Sequence, residues 1–285
     1  MLDKSFTNFL FKATDNTPLV LFRVLFGFLL FCEAAGALAT GWVDKVFIDC
    51  QMTIPFLGFN FLAETLHGPI MYGWYAALGI FGIGVMLGYK YRLSMALFAI
   101  FWTCTYLSQK THYNNHYYLL VVLSWVMCFI PAHKYFSFDA RRRRGFQRIS
   151  CPNWCYVLLI GLLAIVYFFA SINKLYPDWL NAVPAKMWFK AKGHYPIIGG
   201  LLRKEWMPWL ISYGGIIFDG LIVPALLWRR TRNVAFVVGV LFHVANSIIL
   251  YRINHGEYKS VQNIQKSDLV NDELYRKIVR YLTVK

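Results

Sequence analysis

A small set of polar side chains stands inside or at the edge of long apolar blocks. At membrane depth such groups are costly, so each is a functional candidate by default. They are Arg23, Glu33, Lys174, Asp219, His243 and Asn246, with Asn114, Asn115 and His116 where a further block begins. The chemistry open to them is a buried ion pair, a hydrogen bond between helices, or catalysis. Lys174 closes an apolar block, where a lysine is usually an interface anchor. For His116, His243 and Asn246 the ordinary alternative to catalysis is a hydrogen bond to a neighbouring helix. Asp219 suits the partner of a buried Arg or Lys. Arg23 lies near the end of its block and is expected to snorkel to the headgroups.

The elements that must position these groups are membrane-spanning helices. The chain has 285 residues, 58% hydrophobic and 18% aromatic, with only 15% charged. An average soluble domain is about 25% charged, so there is too little charge here to cover a soluble surface. Disordered, collagenous and disulfide-rich classes are excluded, since Gly and Pro show no period and six cysteines are sparse. A span needs roughly 17–25 apolar residues. Seven blocks meet this: 18–39, 69–88, 92–108, 116–132, 154–176, 207–228 and 232–251. Segment 41–68 is apolar but broken by Asp, Pro and Gly, which suits a re-entrant or interfacial stretch. The expected fold is therefore an all-α integral membrane bundle of about seven transmembrane helices plus that segment. One transmembrane domain covers 1–251, and a polar tail with an amphipathic end covers 252–285. The first block is expected to be a retained span. Ala37-Leu38-Ala39 resembles a cleavage site, but the apolar run is too long and Asp3 and Asp15 spoil a basic leader.

The net charge of +15 falls largely between the blocks, where it sets topology and meets anionic lipid. Lys90 and Arg92, then Lys134, Arg141–Arg144 and Arg148, then Arg229, Arg230 and Arg232 all lie on one side if there are seven spans. That side is expected to be cytoplasmic, with the N-terminus inside, as in a bacterial inner membrane. Glu33, His116, Lys174, His243 and Asn246 then gather towards the outer half. The lipid bilayer is the expected partner. Nucleic acid is not, because interleaved aromatics belong to membrane interfaces. No metal is expected: Cys151 and Cys155 are separated by three residues with no histidine pair nearby. HExxH, P-loop and GxSxG patterns are absent. Gly79, Gly82, Gly84 and Gly88 read as small residues that let helices approach.

Four stretches carry a resemblance. They are Met86-Leu-Gly-Tyr-Lys-Tyr-Arg92, Lys110-Thr-His-Tyr-Asn-Asn-His-Tyr-Tyr-Leu119, Tyr167-Phe-Phe-Ala-Ser-Ile-Asn-Lys-Leu-Tyr-Pro-Asp-Trp179 and Phe242-His-Val-Ala-Asn246. In this order, over roughly 10–250, they resemble the membrane part of the vitamin K-dependent γ-glutamyl carboxylases. The likeness is closest to bacterial homologues that share the horizontally transferred transmembrane (HTTM) domain. The resemblance implies that Lys174 is the base that starts the reaction and that His116 assists it, with Asn115 beside it. It implies that His243 and Asn246 line the cavity for reduced vitamin K or a related quinol. Asp219 matches an aspartate of the family's sixth span, to which no role is assigned.

The implied reaction is a quinol epoxidation by O₂ that yields a strong base. That base removes a γ-hydrogen from peptidyl glutamate, and CO₂ adds to the carbon. A glutamate-containing protein or peptide is thus the implied partner. The implied base must be neutral, although a free lysine has a pKa near 10.4, and burial in an apolar bundle lowers that value. Family members continue past the Phe242-His-Val-Ala-Asn246 helix into a further span and a β-rich outer domain. Here the sequence turns polar at Tyr251, so either a natural short form or a remainder replaced by a change of reading frame is expected. The alternative reading is a non-catalytic membrane protein that binds a quinone or a partner protein. A small-solute transporter is weaker, since no inverted repeat is visible.

Overall fold

The computed structural model describes residues 4–50, 54–112, 114–142, 145, 147–190 and 199–247. The expected polar tail 252–285, the end of the last expected span, and Arg143 and Arg144 lie outside the described residues. The protein is an all-α membrane protein, mostly helical, with one small two-stranded sheet among the described residues. It divides into two compact units, residues 1–160 and 161–285.

In the first unit α1 (Lys4–Phe11) leads into β1 (Ala13–Asp15) and α2 (Thr17–Ala39). Pro18 sits in the first turn of α2, where its missing N–H costs nothing. Asp15 fixes that start by accepting bonds from Thr17 N (3.0 Å) and Thr17 Oγ1 (2.9 Å). After α2 come a π-helical turn (Asp44–Ile48) and α3 (Asn60–Thr65). Segment 41–68 thus holds no long helix, and it folds back on the end of α5 (Tyr91–Ser108) through Phe56 N to Leu107 O (3.0 Å). Before α5 stands α4 (Ile70–Leu87), and after it α6 (Asn115–Phe129) and α7 (Phe138–Arg142). Strand β2 (Ser150–Pro152) pairs antiparallel with β1, Thr14 facing Cys151, and α8 (Trp154–Ile172) begins there.

Helix α2 packs on α4, α4 on α5, and α5 on α6. The first contact is backbone to backbone. A Cβ at Gly82 would stand 2.8 Å from Phe31 N, and one at Gly27 would meet Gly82 O at 2.9 Å. Small residues allow such an approach where lipid offers no hydrophobic drive for association. Of the expected small-residue series, Gly79 makes only ordinary contact with α2, and Gly88 instead ends α4 in the left-handed region (φ 64°). The core holds Leu19, Phe26, Leu30, Tyr75, Leu78, Met95 and Phe98. On α2 the buried positions recur every three or four residues, while Leu21, Leu25, Phe28 and Leu29 stay exposed. A helix that is apolar on its exposed face as well suits lipid rather than water.

Arg23 departs from expectation. It does not snorkel: it is 1% exposed, and its guanidinium turns inward to backbone carbonyls of Val85, Met86 and Phe136. A helix C-terminus offers unpaired carbonyls and the negative end of the dipole, which stabilise a cation there without a carboxylate.

In the second unit the end of α8 is followed by α9 (Pro177–Leu180), α10 (Val183–Lys190), α11 (Gly199–Leu202), α12 (Met207–Leu227) and a helix, α13, over 232–247. Ala185, Phe189 and Leu202 form one small core with Met207 and Ile211. Phe218, Ile222 and Ala235 form another with Tyr167 and Phe242. Outward faces are again apolar, with Phe168, Phe169, Leu221, Val234 and Leu241 exposed. Helices α2, α4, α8 and α12 are long and apolar enough to cross a membrane, and α6 is a shorter apolar helix.

Candidate functional site

Helix α8 ends two residues before the lysine. Its last turn tightens as Asn173 N bonds Phe169 O (2.9 Å) and Lys174 N bonds Ser171 O (3.1 Å). Ser171 Oγ donates to Ile216 O (3.0 Å), which fixes the end of α8 against α12. Lys174 then runs alongside Gly215, and its ammonium makes an ion pair with Asp219 one turn further along α12. The Asp219 side chain is 7% exposed and that of Lys174 is 23% exposed. The pair is therefore mostly, not wholly, shielded from solvent. Trp179 closes one side, its ring centre 5.5 Å from Nζ and its Nε1 donating to Ser212 O (3.0 Å).

A further polar contact of this unit joins α8 to α13. Tyr167 hydroxyl and His243 Nε2 are 2.8 Å apart. Phe218 and Phe242, the neighbours of Asp219 and His243 in sequence, stack with centroids 3.8 Å apart. Between α8 and α12, beside Tyr167 and Asp219, lies a cavity of about 490 Å³. Tyr167, Phe168, Val223, Pro224 and Leu227 line it, and Asp219 supplies its charge. Ligand pockets are commonly 300–1,000 Å³, apolar, with a few placed polar groups. The second unit therefore offers room and surface for a flat apolar ring, a carboxylate–ammonium pair at the edge, and a phenol–imidazole pair.

Lys174, Asp219 and His243 are thus held within one unit, with Asn246 half-buried on α13 three residues after His243. Asn115 and His116 belong to the first unit. Both are exposed in the first turn of α6, where Asn114 caps the helix by accepting from Tyr117 N (2.8 Å). Glu33 is half-buried beside the Tyr117 hydroxyl. Tyr167 and the Phe218–Phe242 stack were not among the expected site residues. Tyr167 had a signal, since it lies two helical turns before Lys174 in one stretch. The two phenylalanines had none beyond adjacency to Asp219 and His243. Among the described residues no group of three His, Cys, Asp or Glu side chains is placed to hold a metal.

An ammonium bound to a carboxylate holds its proton and is not yet a base. What the pair can do is exchange that proton internally. Breaking an N–H bond at Lys174 and forming an O–H bond at Asp219 leaves both groups neutral. The arrangement is one way for a lysine to reach the uncharged state in an apolar setting.

The family model of the HTTM domain matches residues 11–264. The chain belongs to the HTTM family. No solved structure matches it. The HTTM match takes in both units and every site residue described above, and it continues past Tyr251, where the sequence turns polar.

Proposed function

We propose that this HTTM protein is a membrane-bound enzyme of the vitamin K-dependent carboxylase type. The observation that carries the reading is the Lys174–Asp219 pair, whose carboxylate lines an apolar cavity between α8 and α12. A reduced quinone, with O₂, supplies the base strength that removes a γ-hydrogen from peptidyl glutamate, and CO₂ adds at that carbon. The chain's own part is to handle the first proton. Lys174 passes a proton to Asp219 as water leaves the cavity, and the neutral Nζ then accepts the quinol proton. Tyr167 and His243 orient the ring through their shared hydrogen bond. Asn246 is read as a further ligand contact. His116 and Asn115 keep the assisting roles that the resemblance implies. The orientation proposed is N-terminus cytoplasmic, with Lys174 towards the outer face.

The test is product analysis on the chain in lipid nanodiscs given reduced vitamin K, O₂, labelled bicarbonate and a glutamate peptide. Quinone epoxide is expected from the unaltered protein and label in the peptide, with both lost in Lys174→Ala. His116→Ala and Asn115→Ala are read in the same assay. Equal epoxide from Lys174→Ala and unaltered protein would remove the base assignment. The ion pair also favours a second reading, a non-catalytic HTTM protein that binds a quinone or a partner protein. On that reading a well-folded sample forms no epoxide, and Lys174→Ala lowers thermal stability only.

A further inference from the structure

The buried Arg23 stands in a cradle built at the C-terminal end of α4. Its Nη1 donates to Val85 O (3.2 Å) and Met86 O (2.9 Å), and Nη2 donates to Phe136 O (2.8 Å). Its Nε is buried and has no hydrogen-bond partner. Among the described residues no carboxylate forms an ion pair with it. Asp139, whose charge acts on Arg23, accepts instead from Lys90 N and Tyr91 N, each at 2.9 Å, at the start of α5. A buried guanidinium held only by carbonyl dipoles, with one donor left over, is a cation prepared for an anion.

Two further features show that the place is shaped. Gly88 has φ 64°, and a Cβ there would collide with the Arg23 guanidinium and with Ser137. Lys90 and Phe136 both have positive φ, at 42° and 44°, although neither is glycine. Strain of this kind persists only where the surroundings hold it, and it gathers at functional sites.

Beside Arg23 opens a cavity of about 260 Å³, also lined by Arg141, Met86, Leu87, Phe136 and Phe138. Arg141 is exposed and stacks over Phe136, its guanidinium 5.8 Å from the ring centre. The cavity thus has two guanidinium groups and otherwise mainly apolar walls. It lies where an apolar helix, α4, ends and a basic loop begins. Leu87, Phe136 and Phe138 are exposed, so its walls continue into surface suited to acyl chains. Arginine is the side chain that pairs with phosphate through a planar fork.

We propose that this cavity binds a phosphate oxyanion, the headgroup phosphate of an anionic phospholipid, between Arg23 and Arg141. None of its lining residues is among those assigned to catalysis, and it stands whether or not the chain is an enzyme. A free phosphate has the same chemistry at the anion end but no use for the apolar walls.

The test is native mass spectrometry of the whole chain released from micelles containing phosphatidylcholine and phosphatidylglycerol. One phosphatidylglycerol is expected to stay bound, with phosphatidylcholine absent and millimolar inorganic phosphate unable to displace it. Arg141→Gln lies on the surface and leaves the fold intact, and it should weaken retention about fivefold, the scale of one basic residue near a membrane. Arg23→Gln should abolish retention, and the Arg141 variant keeps the test decisive if that protein fails to fold. If phosphatidylglycerol is not kept but inorganic phosphate binds in a manner that depends on Arg141, the anion site stands and its occupant is free phosphate. Retention of phosphatidylglycerol equal in Arg141→Gln and unaltered protein, or binding of neither probe, overturns the proposal.

Discussion

Replacing Asp219 by Asn keeps the shape of α12 and removes one charge. Lys174 is then left beside Trp179 and Gly215 with no anion to hold it. Loss of one member of a fully buried pair costs about 3–5 kcal/mol. Lys174 is 23% exposed, so water recovers part of that, and a loss of about 2 kcal/mol is expected for Asp219→Asn. Lys174→Met is the harsher change, because the carboxylate it strands is only 7% exposed, and about 3 kcal/mol is expected. The double variant strands neither charge and should lie within about 1 kcal/mol of the unaltered protein. The cycle therefore predicts a coupling of about 4 kcal/mol. Reversible unfolding of the four proteins in mixed detergent micelles at one pH measures it. Single losses that simply add in the double variant would refute the idea that this pair fastens the end of α8 to α12. They would also remove the internal proton exchange on which the proposed chemistry depends.

Two further outcomes concern the first unit. Burial holds the His133 imidazole at about 4, below the ordinary 6.5, against a partial counter-effect from Asp139. Because the folded value is depressed, its contribution is whole above pH 6.5 and is lost as pH falls towards 4, by about 3 kcal/mol. The melting temperature in detergent should fall over that window, and His133→Phe, which keeps a ring against Tyr91, should flatten the fall; an unchanged slope would exclude His133 as its source. Gly82→Val places methyl groups where Phe31 N already stands 2.8 Å from a bare Cβ. It should cost about 3 kcal/mol or more by overpacking, read as loss of monodisperse protein, and full recovery would refute the close crossing of α2 and α4.

The sequence marks helices and costly groups well, because both are local properties. Six of the expected blocks contain helices α2, α4, α5, α6, α8 and α12, and α13 covers 232–247. An apolar run long enough to span needs nothing outside itself to be helical, since its backbone bonds are internal. Asp219 could be singled out on the same ground, as a carboxylate in an apolar block. Its partner could not. Lys174 and Asp219 are 45 residues apart, and which cation meets which anion depends on how two helices lie against each other.

Arg23 shows the limit from the other side. Its position near a helix end is equally compatible with snorkelling outward and with turning in. The choice is made by carbonyls at positions 85, 86 and 136, and by a glycine at 88 that leaves the guanidinium its space. None of these carries a side-chain signature for binding a cation. A lysine that ends an apolar block and an arginine that begins one are thus the same kind of mark in the sequence, yet one meets a carboxylate and the other meets only dipoles. That difference decides their chemistry. On the proposed reading the first pair passes a proton between its members, whereas Arg23, held among the described residues by carbonyls, is the charge that the proposed anion meets.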